Sequence, residues 1–301
     1  MIKQPAHLKK GDKIAVTCPA SRLPKNIDKA LSVFKEWGLE VVTGGTANNM
    51  HHQFSGTDAQ RSADLQRFLD DPSIKAIIAG RGGYGTIRII DQLDFSTFAQ
   101  NPKWIVGFSD ITVLLSHIYA VYGIRSIHGP MPNTFDEATP QSLESLRRAL
   151  FGEPIDYGYH PQTRPDNPAF AEKLRIEPGA VLSDAIVIGG NLTLLVMVEG
   201  SPSAMDYTDK ILFIEDVAER PASIDRMMRM LDRTGKLAKL KGLIVGAFNE
   251  LPEEKIPFGQ TPEEIIREVV KKYGYPVWFN FPAGHIDDNR ALVVGGPLDL
   301  L

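Results

Sequence analysis

The sequence lacks the features of a disulfide-bonded or membrane-spanning protein. It has a single cysteine, Cys18, so no disulfide can form within the chain, and the apolar run around Cys18 indicates a buried, unreactive thiol. No apolar run reaches the roughly 20 residues that a membrane-spanning helix needs. Residues 1–11 lack the apolar core of a signal peptide. We therefore expect a cytoplasmic protein that does not bind membranes.

The sequence also lacks an excess of positive charge. It has 33 lysine and arginine residues against 37 aspartate and glutamate residues, which gives a formal net charge of −4. Because a nucleic-acid-binding surface must neutralise phosphates with basic side chains, this balance argues against a nucleic-acid partner. Small molecules or peptides are the expected partners.

No histidine or cysteine cluster predicts a metal site. The adjacent residues His51 and His52 are the nearest approach to one, but neighbouring side chains rarely converge on one ion without further ligands. We interpret this pair as part of a solvated loop. Neither a metal nor another cofactor is expected.

The hydrophobic pattern of the N-terminal half predicts an α/β fold. From residue 12 to about residue 152, apolar runs alternate with segments of helical periodicity, which is the pattern of a parallel sheet covered by helices. The third strand is expected over residues 74–79 and a helix is expected to start near Thr86. A capping box at Thr57 and Gln60 predicts the start of an earlier helix.

A proline-rich stretch predicts a boundary between two domains. Between residues 154 and 178 the periodicity lapses and five prolines occur. The chain is also longer than a single hydrophobic core usually supports. We predict an N-terminal domain over residues 1–155, a linker over 156–180 and a smaller α+β domain over 181–301. Strands of this second domain are expected near residues 185–190, 210–216, 242–248, 277–281 and 291–294.

Ser109 lies where a predicted strand runs into a helix without a loop. A hydroxyl at such a turn projects into open space, and the first helical N–H groups, including that of Asp110, can stabilise an oxyanion. Gly107 leaves room for the turn, although a nucleophile elbow usually has a second glycine where this chain has Ile111. Alternatively, Ser109 only caps the helix. Because capping serines outnumber catalytic ones, this stretch alone favours the cap.

A glycine-rich segment, residues 80–85 (GRGGYG), follows the third predicted strand and allows two interpretations. It matches the G-x-G-x-x-G pattern of dinucleotide-binding proteins, with Asp110 near the position of a ribose-binding acid. Such proteins place this loop after their first strand, however. We prefer the alternative that the bare backbone approaches a substrate beside Ser109 and that the N–H of Gly83 is an oxyanion donor.

Further polar residues at predicted strand ends complete a catalytic set. Glu215 and Asp216 end one apolar strand, and His285 follows another. Together with Ser109 they supply the nucleophile, base and orienting carboxylate that acyl transfer requires. Taken singly, each residue has an ordinary structural explanation.

His128 is a second candidate for the base, because it ends a predicted strand on the same side of the sheet as Ser109. Its neighbours Gly129 and Pro130 equally suit a buried histidine in a turn. The structural interpretation is the more favoured of the two.

Several short motifs resemble those of the LD-carboxypeptidase family in order and spacing. They are FSGTD at 54–58, GGYG at 82–85, GFSDIT at 107–112, GGNL at 189–192, Glu215-Asp216 with Asp225-Arg226, and Gly284-His285. The similarity covers nearly the whole chain. One departure is Ala222, where many members have tyrosine, and it affects the expected shape of the substrate mouth.

This resemblance implies a flavodoxin-like N-terminal domain and a smaller β-rich C-terminal domain. It implies a serine peptidase with the triad Ser109, His285 and Glu215 and an oxyanion hole formed by the backbone of Gly83 and Asp110. The implied reaction releases terminal D-alanine from the L-centre of a diamino acid in murein tetrapeptides, during cell-wall recycling, in a cytoplasmic homodimer. A related branch cleaves a toxic peptidyl-nucleotide and provides self-immunity.

A carboxypeptidase must also recognise the free carboxylate of its substrate. Arg81 is the basic residue nearest the glycine loop, and a guanidinium group matches a carboxylate bidentately. Arg220 is the alternative anchor. Tyr84, in the same loop as Arg81, is a third predicted substrate-binding residue.

Overall fold

The computed structural model describes residues 2–157, 185–252 and 255–298, which form two sheets and their covering helices. The strands are β1 (Lys13–Thr17), β2 (Glu40–Thr43), β3 (Ile74–Ala79), β4 (Trp104–Gly107), β5 (Ser126–His128), β6 (Ile186–Asn191), β7 (Lys210–Val217), β8 (Gly242–Asn249), β9 (Val277–Trp278) and β10 (Leu292–Val294). The helices are α1 (Asp28–Glu36), α2 (Asp58–Asp70), α3 (Ser96–Gln100), α4 (Thr112–Tyr122), α5 (Pro140–Phe151), α6 (Leu192–Met197), α7 (Pro221–Arg233) and α8 (Pro262–Val270).

The first sheet has the flavodoxin-like order that was predicted for the N-terminal half. Its strands lie in the order β10-β5-β4-β3-β1-β2, and the five N-terminal strands are parallel. The carboxyl ends of parallel strands meet at one edge of a sheet, where such folds bind their ligands. The segments that follow β1, β3 and β4 therefore lie together at this edge.

The second sheet has four strands in the order β6-β7-β8-β9, all of them parallel. Helices α6, α7 and α8 lie between successive strands, so this part of the chain is also built from β-α-β units. The predicted second sheet is thus present. Glu215 and Asp216 lie near the carboxyl end of β7, as the sequence pattern indicated.

The last predicted strand, β10, forms but does not belong to the second sheet. It pairs antiparallel with β5, and its register places Leu292 opposite His128. Strand β5 would otherwise present unpaired backbone groups at the edge of the first sheet, and β10 covers them. The C-terminal part of the chain is therefore attached to the N-terminal sheet.

The prediction of an α-helix that starts near Thr86 is wrong. The chain forms two one-turn 3-10 helices there, Thr86–Arg88 and Ile90–Gln92, instead of an α-helix. Three isoleucines and a threonine occur within five residues, and β-branched side chains disfavour a continued helix.

The capping box predicted at Thr57 is present at the start of α2. The side chains of Thr57 and Gln60 each accept a hydrogen bond from the other's backbone N–H.

The predicted linker, residues 156–180, lies outside the described residues except for its first two positions. The domain limits derived from it stay a prediction. In the described ranges, no helix is long and apolar enough to cross a membrane.

Candidate active site

Ser109 occupies a strained turn directly after β4. Its φ is +61°, a left-handed conformation that costs a residue with a side chain about 1–2 kcal/mol. Such strain persists where surrounding structure imposes it and is frequent at functional sites. The cap interpretation of Ser109 is wrong, because the N-cap residue of α4 is Ile111 and that of the preceding 3-10 turn is Phe108.

The unusual elbow sequence has a steric explanation. A Cβ at Gly107 would lie 2.8 Å from Cγ2 of Ile111, so the isoleucine side chain occupies the space that the glycine leaves. Glycine is required at position 107 because the larger side chain of Ile111 lies against it across the turn. The chain can therefore form the elbow turn although Ile111 stands where the motif usually has a second glycine.

The glycine loop packs against the elbow, as the preferred interpretation required. A Cβ at Gly82 would lie 2.9 Å from Cβ of Ser109, so only glycine permits this approach. Gly83 follows with a φ of +94° and is solvent-exposed. Ser21 holds the loop from the other side: its N–H donates to the carbonyl of Gly82, and its hydroxyl accepts from the N–H of Tyr84 at 3.1 Å.

His285 and Glu215 form a close pair at the carboxyl end of the second sheet. The distance between His285 Nδ1 and Glu215 Oε2 is 2.7 Å, and the glutamate is fully buried. A Cβ at Gly284 would lie 2.9 Å from Cβ of Glu215, which explains the glycine before the histidine. Since Nδ1 faces the carboxylate, Nε2 is the ring nitrogen left for another partner.

The surroundings of His285 raise the pKa of its imidazole above the usual value. Burial, the largest effect, favours the neutral ring, but it is outweighed by the hydrogen bond to Glu215 and by the charge of that carboxylate. The charges of Asp216 and Glu250 act in the same direction. His285 is therefore adapted to accept a proton.

Phe108 joins the elbow to the histidine. Its ring centroid lies 4.8 Å from that of His285, and Phe108 immediately precedes Ser109 in the chain. Both rings line a cavity of about 220 Å³. The other lining residues are Pro130, Thr134, Glu137, Ala138, Ser142, Ile286, Asp287 and Asn289. The structure thus brings the predicted base next to the strand that carries the predicted nucleophile.

Asp216, next to Glu215 in β7, holds the residues at the end of β6 and just after it. Its carboxylate accepts from the Asn191 side chain at 2.8 Å and from the N–H and hydroxyl of Thr193. The N–H of Asn191 donates in turn to the hydroxyl of Thr112, in the first turn of α4. Burial, followed by the charge of Glu215, raises the pKa of Asp216 to about 6. Asn191 and Thr112 are further residues of this region that the sequence pattern did not single out as functional.

His128, the alternative base, is fully buried. Its ring lies 4.9 Å from that of Phe213 and 5.8 Å from that of Phe108 between centroids. Among the described residues neither ring nitrogen has a hydrogen-bond partner. Burial lowers the pKa of His128 to about 4, so the ring is neutral at ordinary pH. These observations favour the structural interpretation.

The structure does not support the interpretation of residues 80–85 as a dinucleotide-binding loop. Pyrophosphate binding uses the N-terminus of an α-helix after the glycine loop, and a 3-10 turn begins there instead. Asp110, the candidate ribose-binding acid, is buried, and its carboxylate accepts from the N–H of Thr86 at 2.8 Å. This carboxylate connects the end of the glycine loop to the elbow.

The predicted substrate-binding residues Arg81 and Tyr84 lie in the glycine loop, whereas Arg220 lies in the C-terminal part of the chain. Nη1 of Arg81 donates to the carbonyl of Arg22 at 2.8 Å. Tyr84 is 42% exposed at the tip of the glycine loop. Arg220 is exposed and is the N-cap residue of α7, in the C-terminal part of the chain.

Two remaining expectations concern residues away from the elbow. Cys18 is buried, as predicted, and burial is the main cause that raises its thiol pKa to about 12. The rings of His51 and His52 lie 4.7 Å apart. Within the part of the chain that is described, no group of three or more histidine, cysteine, aspartate or glutamate residues is arranged to hold a metal ion.

A serine elbow, a glycine loop against it and a histidine paired with a buried glutamate are features of the class of serine hydrolases. Family models narrow this class. Residues 14–129 match the N-terminal domain of LD-carboxypeptidases, and residues 184–300 match the C-terminal domain. The chain belongs to the LD-carboxypeptidase family, whose members are serine peptidases.

Relatives from several bacteria support this assignment over nearly the full length. A probable murein peptide carboxypeptidase of Bacillus subtilis is 34% identical over 97% of this chain and 89% of its own. A murein tetrapeptide carboxypeptidase of Pseudomonas aeruginosa is 29% identical over 94% and 91%, respectively. The structure of a muramoyltetrapeptide carboxypeptidase from Oxalobacter formigenes matches with a TM-score of 0.76 at 29% identity, covering 94% of this chain and 92% of that one.

A second group of relatives has a different described role. The microcin C7 self-immunity protein of Escherichia coli is 27% identical over 93% of this chain and 86% of its own. A structure of the microcin C7 self-immunity protein with aspartyl sulfamoyl adenosine matches with a TM-score of 0.80 at 25% identity, covering 97% of this chain and 93% of that one. The two groups share one fold.

Proposed function

We propose that this protein is an L,D-carboxypeptidase that releases terminal D-alanine from murein tetrapeptides. The observation that carries the proposal is the 2.7 Å pair of His285 and Glu215 beside the strained Ser109 elbow. The names of the full-length relatives in Bacillus and Pseudomonas support the substrate class. We further propose that the protein acts in the cytoplasm as a homodimer during cell-wall recycling.

The proposed mechanism follows from the roles of the three side chains. Oγ of Ser109 attacks the scissile carbonyl carbon while Nε2 of His285 takes the hydroxyl proton. Glu215 holds the imidazole in this tautomer and stabilises its cation. The N–H groups of Gly83 and Asp110 donate to the oxyanion.

Collapse of the tetrahedral intermediate breaks the peptide bond. The proton on Nε2 of His285 passes to the departing amine of D-alanine, and an acyl-enzyme on Ser109 remains. Water then attacks the ester, with the same nitrogen as base, and restores the free serine. No cofactor takes part in these steps.

The pH dependence of the reaction is a first prediction. Activity requires neutral His285, and the pKa of this histidine is raised, so kcat/KM should fall as the pH drops through a value above the ~6.5 of an unperturbed histidine. The measurement is a pH profile of D-alanine release. A half-maximal point well below that value would contradict His285 as the base.

Recognition of the substrate carboxylate is a second prediction. If Arg81 pairs with the D-alanine carboxylate, amidation of the tetrapeptide should lower kcat/KM by about two powers of ten, the equivalent of roughly 3 kcal/mol for a charge-assisted hydrogen bond. Arg81→Lys should lose most of this discrimination, because a lysine cannot form the bidentate pair. Arg220→Lys tests the alternative anchor: loss of the discrimination in this variant, and not in Arg81→Lys, would assign the carboxylate to Arg220. Equal rates on free and amidated peptides would exclude a carboxylate anchor.

The self-immunity activity of the second group of relatives is the alternative function. Cleavage of an aminoacyl-sulfamoyl nucleotide requires the same triad, so the active site alone does not separate the two substrates. Parallel assays of D-alanine release and of nucleotide cleavage by the purified protein are therefore needed. The proposed function requires kcat/KM to be higher for the tetrapeptide, and preference for the nucleotide would overturn it.

A further inference from the structure

Arg61 is a fully buried arginine on the apolar face of α2. It lies in helical register with Leu65, Phe68 and Leu69, which are buried in the core. An arginine on such a face must be paired and hydrogen-bonded, because a buried charge without partners is strongly destabilising. The sequence signal for this residue is a single arginine at a position where the helical pattern is otherwise apolar.

The guanidinium group of Arg61 binds the end of the glycine loop. Nη1 donates to the carbonyl of Gly85 at 2.9 Å and also to the carbonyl of Pro19, while Nη2 pairs with Asp58. Gly85 has a φ of +138°, and a Cβ there would lie 2.7 Å from Nη1, so the loop can approach the guanidinium only as glycine. One side chain thus connects the segment after β1 to the segment after β3.

Phe54 and Arg88 complete the surroundings of this arginine. The guanidinium carbon of Arg61 lies 4.9 Å from the ring centroid of Phe54, and that of Arg88 lies 5.5 Å from it. Arg88 also binds the carboxylate of Asp58, with Nη2 at 2.7 Å. The residues of the FSGTD motif, 54–58, therefore contribute a ring and a carboxylate that hold the arginine.

We propose that Arg61 is a positioning residue that sets the oxyanion loop, residues 80–85, against Ser109. It acts through the backbone: its hydrogen bond to the Gly85 carbonyl fixes one end of the loop, and Gly82 in the same loop packs on the serine. Oxyanion donors must lie about 2.7–3.1 Å from the oxyanion, so a small loop displacement weakens catalysis. This inference rests on the proposed function, because it assumes that Gly83 is an oxyanion donor.

The test is the substitution Arg61→Lys. Lysine keeps the positive charge but cannot reach two carbonyls and a carboxylate in the same geometry. We expect kcat for D-alanine release to fall roughly ten- to a hundredfold with KM within about twofold, because the loop acts on the transition state. Arg67→Lys is the matched control: it lies on the same helix and also pairs with the aspartate three residues before it, but it is exposed.

The result that would overturn the proposal depends on whether Arg61→Lys folds. A folded Arg61→Lys enzyme with kcat equal to that of Arg67→Lys would overturn the proposal, whatever the change in melting temperature. If Arg61→Lys does not fold, Asp58→Asn replaces it, because Asp58 is partly exposed and its loss loosens the arginine without removing the buried cation. We then expect kcat to fall about threefold or more, as loss of a hydrogen bond to a charged group allows. An unchanged kcat in that variant would refute the positioning role.

A second readout separates this inference from the proposed function. Labelling of Ser109 by a fluorophosphonate requires the elbow and the oxyanion donors but no murein peptide. If the wild-type protein does not release D-alanine, the proposed function is wrong, yet slower labelling of Arg61→Lys than of Arg67→Lys would still support the positioning role. Equal labelling rates would refute that role independently of the substrate.

Discussion

Ser109→Ala is expected to abolish turnover while leaving the fold intact. By analogy with a triad serine protease, loss of the nucleophile should lower kcat on the order of 10⁶-fold. The hydroxyl contributes little packing at this turn, so the free energy of unfolding should change by about 1 kcal/mol or less. D-alanine release and thermal unfolding measure the two effects. Near-normal release by Ser109→Ala would remove the nucleophile assignment.

Two further variants sharpen this prediction. Ser109→Gly should be equally inactive but at least as stable as Ser109→Ala, because glycine adopts a φ of +61° without strain. Ser116→Ala, seven positions further along the chain in α4, changes a buried serine that lies outside the proposed machinery and should retain full activity. A lower stability of Ser109→Gly than of Ser109→Ala would show that the strain is not stored at this residue.

Glu215→Gln is expected to lower kcat on the order of 10⁴-fold, as loss of the carboxylate does in other triads. The amide keeps the shape of the side chain but not the charge that stabilises protonated His285. Without this charge, burial of the imidazole should dominate, and the acid limb of the pH profile should move to lower pH. Steady-state kinetics over a range of pH measures both effects.

Asp216→Asn is the comparison for this variant. The Asp216 carboxylate accepts hydrogen bonds only, from Asn191, from Thr193 and from the N–H of Val217, so an amide would place a donor against donors. We expect a loss of about 1–3 kcal/mol in the free energy of unfolding and a smaller loss in kcat than for Glu215→Gln. If Asp216→Asn loses as much kcat as Glu215→Gln, the assignment of the carboxylate to Glu215 alone is wrong.

The sequence by itself determined the elements that depend on local pattern. Alternation of apolar and helical segments predicted the parallel sheet, and the polar residues after strands predicted its functional edge, since parallel strands end on one side. The glycine loop, the elbow serine and the Glu215–His285 set were all named from their positions at strand ends. Their order and spacing also carried the family resemblance.

The sequence pattern was less informative where several weak preferences competed. The alternating pattern predicts a helix after Gly85, but the β-branched residues of this segment disfavour one, and two 3-10 turns form instead. Likewise, Ser109 has the residue type of a helix cap, and only its φ of +61° and the later start of α4 remove that interpretation.

Only the tertiary structure decided which distant residues meet. Glu215 and His285 are 70 positions apart, and their 2.7 Å contact forms because the segment after β9 returns at Gly284 to pack on Glu215 in β7. Strand β10 carries the pattern of any short apolar strand, and its pairing with β5 instead of the second sheet is set by the open edge of the first. Arg61 shows the same dependence: a helical pattern reveals that it is buried, but its partners at Pro19 and Gly85 come from segments that only the fold brings together.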